Sequence, residues 1–573
     1  MKSIWSKSSK TLEYMVGDKY IKILAGILIL GAVLRYYGIF NAENVDEYNE
    51  VFEALRVASG KFNYERMWKK GYQNILAIEY GIYFITGYLI NVFRDPMDFA
   101  GKIVQNMEPL FLIGRYTTAT LGTLSVGLIY LIGRRTYSPL AGLFASATLC
   151  VSAVHVWTSH LVNTDVPLVF FFLLATYFIT KFFYSGKTVD YVLASFFGAW
   201  AISVKMIGVG TGIIFIVSHI IRCKHQGRKI AQYIYCKEIF FSLVAFILGL
   251  AITNPPIIFT LGDTIRFHYG VYQNVYDEVP YAMGGSGHYT YMVLLLRELG
   301  LPLFILTIVS IAYALYKRET WDYIFILFVG GTYLMLGGTA FLVQERYLMI
   351  IMVALFVLNG RFLDVVVRKP FAGKRYGSLI LTATALLVLG IPLSRSVGYV
   401  RTLTQENTGK ASKRWIENNV PANSKLLIDT GRTIISSGPR LNESKENLER
   451  KLRIIKNLRQ GETYDSRLTR IVDSSSSIYF ELLLKNIPEV TYDITTTELG
   501  RKVETFEYYR KEGYQYIITN DEVTWRAYDK RWAEKYPVSS RFYRNIDKEF
   551  EVLKEFKPSP TRSGPTIIVY KVK

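Results

Sequence analysis

The chain has 573 residues, half of them hydrophobic, 15% aromatic and only 20% charged, with a mean hydropathy of +0.20. This excludes a disordered or collagen-like chain and argues against an ordinary soluble enzyme. The net charge of +20 lies mostly between long apolar runs, so no nucleic-acid partner is expected, and Cys150, Cys223 and Cys236 lack the spacing of a zinc site or a disulfide framework.

A bilayer core takes about 20 mainly apolar residues per helix. Windows of that length predict eleven spans, at 21–40, 110–133, 138–157, 166–183, 189–206, 208–221, 239–253, 299–316, 321–340, 347–367 and 377–393. Basic residues near helix ends are retained on the cytoplasmic side. Lys2, Lys7, Lys10 and Lys19 precede the first span, Arg134 and Arg135 follow the second, and Lys181 and Lys187 follow the fourth. Arg222 to Lys237, Lys317 with Arg318, and Arg361 to Arg375 continue the alternation. The N-terminus is therefore expected in the cytoplasm and everything after Leu393 outside. The apolar stretch 74–93 breaks this count if it crosses, so it is expected to lie in the outer leaflet. The first span lacks a small-residue cleavage site and is expected to be retained.

Beyond Leu393 the chain turns polar. Strands are predicted at 424–429, 514–519 and 566–570 and a helix at 442–458, the pattern of a small α/β domain. From Arg395 onward, 33 Lys plus Arg stand against 24 Asp plus Glu, an excess of nine, which suits anionic headgroups as well as it suits a solvated surface. The domains are thus expected to be 1–394, a transmembrane domain with a long first outer loop at 41–109, and 395–573, an extracytoplasmic α/β domain. Asn442-Glu443-Ser444 is a glycosylation sequon whose use depends on the host.

Ionisable groups at membrane depth are costly and tend to be functional, and four groups share the outer side. Asp46 and Glu47 follow the first span; their side chains point about 100° apart on a helix, so one suits a proton acceptor and the other a cap or an ion pair. His160 and Asp165 sit between the third and fourth spans, where Asp165 also fits a helix cap ahead of Pro167. A metal set of His155, His160 and Asp165 lacks helical spacing, so no metal site is assigned, although a divalent metal stays compatible with the chemistry. Lys69, Lys70, Lys205, Arg266 and Arg346 bring cations to the outer face, where a phosphate at headgroup depth would need them. The loop 254–297 combines six tyrosines with Gly284, Gly285 and Gly287, suiting either a mobile cover or an aromatic belt.

These residues occur in a recognisable order: Asp46-Glu47 after the first span, Arg115 opening the second and Gly133-Arg134-Arg135 ending it, Ser138-Pro139-Leu140-Ala141-Gly142, the His160 to Pro167 segment, Arg346-Tyr347 opening a late span, and a soluble outer domain. The layout resembles the GT-C glycosyltransferases of family 39, which include protein O-mannosyltransferases and the lipid A aminoarabinose transferase. The likeness is strongest over 114–177. It departs at 66–72, Arg-Met-Trp-Lys-Lys-Gly-Tyr, where the family often carries Glu-Lys-Pro-Pro-Leu.

The resemblance implies a multi-pass α-helical membrane protein of GT-C type with a C-terminal α/β domain. It also implies transfer of a sugar, with inversion, from a polyprenyl-phosphate carrier to a hydroxyl acceptor on protein, lipid or glycan at the extracytoplasmic side. Asp46 would be the general base, with Glu47 beside it, and Asp165 would orient sugar or acceptor with His160. Arg346, Lys205, Arg266, Lys69 and Lys70 would hold the lipid phosphate. The expected partners are the lipid-linked donor, membrane lipids and the acceptor. A transporter or flippase is the competing class, but it usually shows internal repeats, and none is evident; a receptor using its outer domain is a third.

Overall fold

A computed structural model describes residues 18–44, 46–58, 70–255, 262, 287–338, 343–368, 376–429, 438–458 and 474–572. The helices run α1 Asp18–Tyr36, α2 Glu47–Ala58, α3 Gly71–Leu89, α4 Pro96–Gln105, α5 Glu108–Thr136, α6 Pro139–Val151, α7 Ala153–Ser159, α8 Asp165–Ser185, α9 Thr188–Val204, α10 Gly210–His225, α11 Lys237–Thr253, α12 Gly287–Lys317, α13 Thr320–Gly338, α14 Met349–Phe362 and α15 Gly377–Thr402. All eleven predicted windows fall on helices, the third on α6 and α7 together. Among the described residues eight helices are long and apolar enough to cross a membrane, or nine if the bent pair counts as one span. The difference from eleven is α9 and α11, each 17 residues long, or about 26 Å at 1.5 Å per residue, just short of a hydrocarbon core of about 30 Å.

The chain forms two compact units. The first comprises Met1–Tyr37, Phe62–Ile75 and Arg115–Val400. It leaves large apolar side chains such as Ile29, Leu334 and Leu386 about two-thirds exposed, a surface that water disfavours and lipid accepts. The protein is therefore an integral membrane protein.

Two devices hold this unit together. Where small residues meet, backbones approach closely: a Cβ on Gly142 would lie 2.4 Å from Tyr130 O, one on Gly133 2.7 Å from Gly142 Cα, and one on Gly360 2.3 Å from Ala141 O. The second device is a mended break. α6 and α7 are bent by 59° at Ser152, which frees carbonyls on one side and N–H groups on the other. The buried Arg35 guanidinium donates to Leu149 O (3.0 Å) and Cys150 O (3.1 Å) and lies 2.9 Å from His155 Nδ1. From the other side Glu298 Oε1 accepts from Val154 N–H at 2.8 Å. A carboxylate at a helix N-terminus is also favoured by the helix dipole. Gly300, at φ +70°, bends α12 just beyond Glu298.

The second unit comprises Gly38–Lys61, Leu76–Gly114 and Arg401–Lys573. After α16 Thr408–Asn419 come β1 Lys425–Ile428, α17 Lys445–Leu458, α18 Ser474–Lys485, β2 Asp493–Thr496, β3 Tyr516–Asn520, α19 Pro537–Glu549, β4 Glu551–Phe556 and β5 Ile567–Lys571. The sheet order is β2-β1-β3-β5-β4, with β1 parallel to β2 and β3, and β5 antiparallel to β3 and β4. The three predicted strands are β1, β3 and β5, and the predicted helix is α17. Both unpredicted strands lie at the sheet edges, where β4 reads Glu-Val-Leu-Lys-Glu-Phe and is mostly exposed; an edge tolerates charge and loses the alternation that marks a half-buried strand.

Much of the segment 41–109 packs with this α/β domain. Asn41 Nδ2 donates to Leu403 O at 2.9 Å, Gln105 Nε2 to Asn486 O at 3.1 Å, and Lys410 Nζ to Glu108 at 2.8 Å. Ile78, Ile82, Ile85 and Leu89, at helical spacing on α3, form an exposed apolar stripe of the kind expected of a helix lying in an interface.

Candidate active site

In the first unit three predicted residues from distant parts of the sequence converge. Asp165 is the first residue of α8, and its N–H is taken by Asn163 Oδ1 at 2.9 Å. Its carboxylate does not cap the helix: Lys205 Nζ donates to Oδ1, and Arg346 Nε lies 3.5 Å from Oδ2. Lys205 stands between the end of α9 and the 3-10 turn Met206–Val209, with its backbone extended, so its side chain is displayed at a helix break. Arg346 lies in the 3-10 turn Glu345–Leu348 ahead of α14 and donates from Nε to Gln344 Oε1 at 2.6 Å. The Lys205 ammonium sits 4.2 Å from the centroid of the Tyr347 ring, a cation–π contact that gains strength away from water.

Lys70 reaches the same helix end through its backbone, its N–H donating to Ser203 O at 3.1 Å. A Cβ on Gly71 would lie 2.8 Å from Val204 N, and Trp200 Nε1 donates to Gly71 O at 3.0 Å. The Lys70 side chain is buried. Lys69 and Arg266 lie outside the described residues, as does most of the loop 254–297.

His160 is buried, with Nδ1 2.9 Å from Val156 O and Nε2 3.1 Å from Tyr37 O. Both ring nitrogens are thus engaged by backbone, and His155 turns to Arg35. The metal set of His155, His160 and Asp165 is not assembled, and among the described residues no three of His, Cys, Asp and Glu gather as a metal-ligand set.

Asp46 and Glu47 belong to the second unit. Asn44 Oδ1 accepts from Asp46 N–H at 2.9 Å, and Glu47 Oε2 accepts from Asn44 N–H at 3.0 Å. This reciprocal pair is a capping box opening α2, and Glu47 is buried in it. Asp46 is half-buried at the helix start.

Arg35 and Glu298 were missed by the sequence reading. Their signal is a charge within an otherwise apolar run.

Chemically, one carboxylate gathers two cations in a poorly solvated place, side chains of the kind that bind an oxyanion. Two apolar cavities of about 340 and 320 Å3 lie along α10. They share Phe215, Ile216 and Ile239, and the first includes Ile202 and Val209, which flank Lys205 in sequence.

Residues 111–259 match the family model of dolichyl-phosphate-mannose-protein mannosyltransferase. The chain superposes on ArnT from Cupriavidus metallidurans bound to undecaprenyl phosphate, with a TM-score of 0.50 at 11% identity over 96% of this chain and 97% of that one. The chain has the GT-C fold and is similar to that mannosyltransferase family over residues 111–259. The GT-C fold also appears in the oligosaccharyltransferase of Archaeoglobus fulgidus tethered with an acceptor peptide, with a TM-score of 0.50 at 10% identity over 98% of this chain and 75% of that one. At such identities the likeness to this GT-C protein is one of fold. No curated relative matches the sequence.

Proposed function

We propose that this membrane glycosyltransferase moves a sugar from a polyprenyl monophosphate carrier to a hydroxyl acceptor on the extracytoplasmic face, with the N-terminus in the cytoplasm. The observation that carries the reading is the meeting of Lys205 and Arg346 on Asp165 at helix ends. The apolar cavities along α10 suit an isoprenoid tail, whose phosphate would then come to the cations near Lys205. In the relatives, undecaprenyl phosphate and an acceptor peptide are the molecules named; the donor proposed here is of the first class, and the acceptor is a hydroxyl on protein, lipid or glycan.

In the proposed step the acceptor oxygen attacks the anomeric carbon and its proton passes to the Asp46 carboxylate. The bond from that carbon to the phosphate oxygen breaks with its electron pair going to the phosphate, and the configuration inverts. Lys205 and Arg346 meet the negative charge as it grows on the leaving group, the point at which electrostatic stabilisation accelerates the reaction. Asp165 holds the two cations apart and oriented until the phosphate arrives. Lys69, Lys70 and Arg266 are proposed to add to the phosphate site. Glu47 holds the Asp46 turn through its capping box, and His160 fixes the backbone before Asp165.

The test is transfer by the purified protein from radiolabelled polyprenyl-phosphate sugar, comparing wild type with Asp46→Asn and Arg346→Ala. Loss of turnover in both is expected; wild-type turnover by both would remove the assignment.

A further inference from the structure

The second unit contains a cavity of about 280 Å3 that the transfer step does not use. Its wall is built from Glu43 and Tyr48 of the first outer loop, Glu108 and Phe111 at the start of α5, and Lys410, Arg440, Glu443 and Lys451 of the α/β domain. Ile428 and Thr496, the last residues of the parallel strands β1 and β2, also line it, and the carboxyl ends of parallel strands are where open α/β sheets take their ligands.

The charges are ordered in pairs. Arg440 lies flat over Tyr48, 4.0 Å from the ring centroid, and its Nη2 meets Glu43 Oε1 at 2.7 Å. Lys451 Nζ meets Glu443 Oε1 at 2.5 Å, and Lys410 Nζ meets Glu108 Oε1 at 2.8 Å. Among the described residues, each of the first two pairs leaves one buried polar atom without a hydrogen-bond partner: the Arg440 Nε–H donor and the Glu443 Oε2 acceptor. Native structures rarely leave such atoms unsatisfied without a ligand or water to complete them.

We propose that this cavity binds a polyhydroxylated, uncharged group, the carbohydrate portion of the acceptor. The proposal rests on the transferase reading above. A sugar hydroxyl both donates and accepts, matching one free donor and one free acceptor three residues apart in the chain, while Phe111 and Phe480 offer apolar surface to the C–H face of a ring. Neighbouring carboxylates offset the lining cations, so a polyanion gains little there. At about 280 Å3 the cavity is at the small end of ligand sites, with room for a mono- or disaccharide. The location connects it to the reaction, because Tyr48 and Asp46 stand two residues apart at the head of α2.

The experiment is saturation-transfer NMR on the full chain in nanodiscs, with methyl hexosides and disaccharides as probes and a serine-containing tripeptide and inorganic phosphate as comparisons. Saccharide saturation is expected in wild type, weakened about tenfold in apparent affinity, or about 1.4 kcal/mol, by Glu443→Gln and by Arg440→Lys. Arg440→Lys keeps the charge but loses the Nε–H, and an unchanged unfolding temperature separates lost binding from lost folding. Saturation of the tripeptide or phosphate in place of saccharide, saccharide binding indifferent to both variants, or no binding at all would overturn the proposal. Donor turnover is read separately on the same wild-type preparation, so saccharide binding without any transfer would sink the transferase reading while leaving the site standing.

Discussion

Arg346 Nε stands 3.5 Å from Asp165 Oδ2, so the turn before α14 is fastened to the first residue of α8. Lys205 occupies the other carboxylate oxygen. A carboxylate buried at this depth is tolerated because it is paired, and removing it takes one partner from each of two cations.

Asp165→Asn should therefore lower stability by about 3 kcal/mol, the range seen when one partner of a buried ion pair is removed. Thermal unfolding in detergent measures this directly. An unchanged unfolding temperature would mean that water already solvates the cluster.

Lys205→Ala removes the cation while leaving Arg346 on Asp165. The donor KM should rise about tenfold, near the value of one charge-assisted hydrogen bond, with kcat also reduced because the charge on the phosphate is greatest in the transition state. Lys205→Arg should recover part of the loss. Steady-state kinetics with varied lipid-linked donor separate the two parameters.

Arg35→Met should destabilise more than Glu298→Gln. The first leaves the Leu149 and Cys150 carbonyls without their donor, at about 1–3 kcal/mol for buried unsatisfied groups; the second keeps a neutral acceptor for Val154 N–H and loses the charge at the start of α7, at about 1 kcal/mol. Comparing the two unfolding temperatures checks the order.

At the carboxyl end of β1, buried Asp429 accepts from Thr497 Oγ1 (2.9 Å), Tyr543 O–H (2.5 Å) and Asn520 N–H (3.2 Å). Burial outweighs these bonds and pushes its pKa up to about 7. A pKa raised on folding means that the folded state holds the proton more tightly, so this group favours folding at low pH and that contribution is lost as pH rises from about 4 to about 7. Urea unfolding of the full chain followed by tryptophan fluorescence should show this slope in wild type and a flatter one in Asp429→Asn.

Gly142→Ala should lower the unfolding temperature, because its Cβ would sit 2.4 Å from Tyr130 O and backbone must move, at about 1–3 kcal/mol for overpacking. Donor KM of the folded fraction should stay at the wild-type value.

That glycine shows what was legible and why. The Gly133-Arg134-Arg135 and Ser138-to-Gly142 motifs carried much of the family resemblance, and in the structure their glycines are places where two backbones touch. In this chain those glycines serve packing. Asp165, Lys205 and Arg346 were legible as polar residues at helix ends on one expected side of the membrane, although nothing in the sequence said that the first would take the other two as its partners.

The sequence by itself determined where the apolar windows meet helices, the three inner strands and the polar character of the chain after Leu393, because hydropathy and strand alternation are local properties. The tertiary structure alone decided the bend at Ser152, the union of much of the segment 41–109 with the α/β domain, and the ion pairs on Asp165. Each depends on which distant groups are brought within hydrogen-bond reach, and that is fixed by how the helices and sheet pack rather than by the order of residues along any one of them.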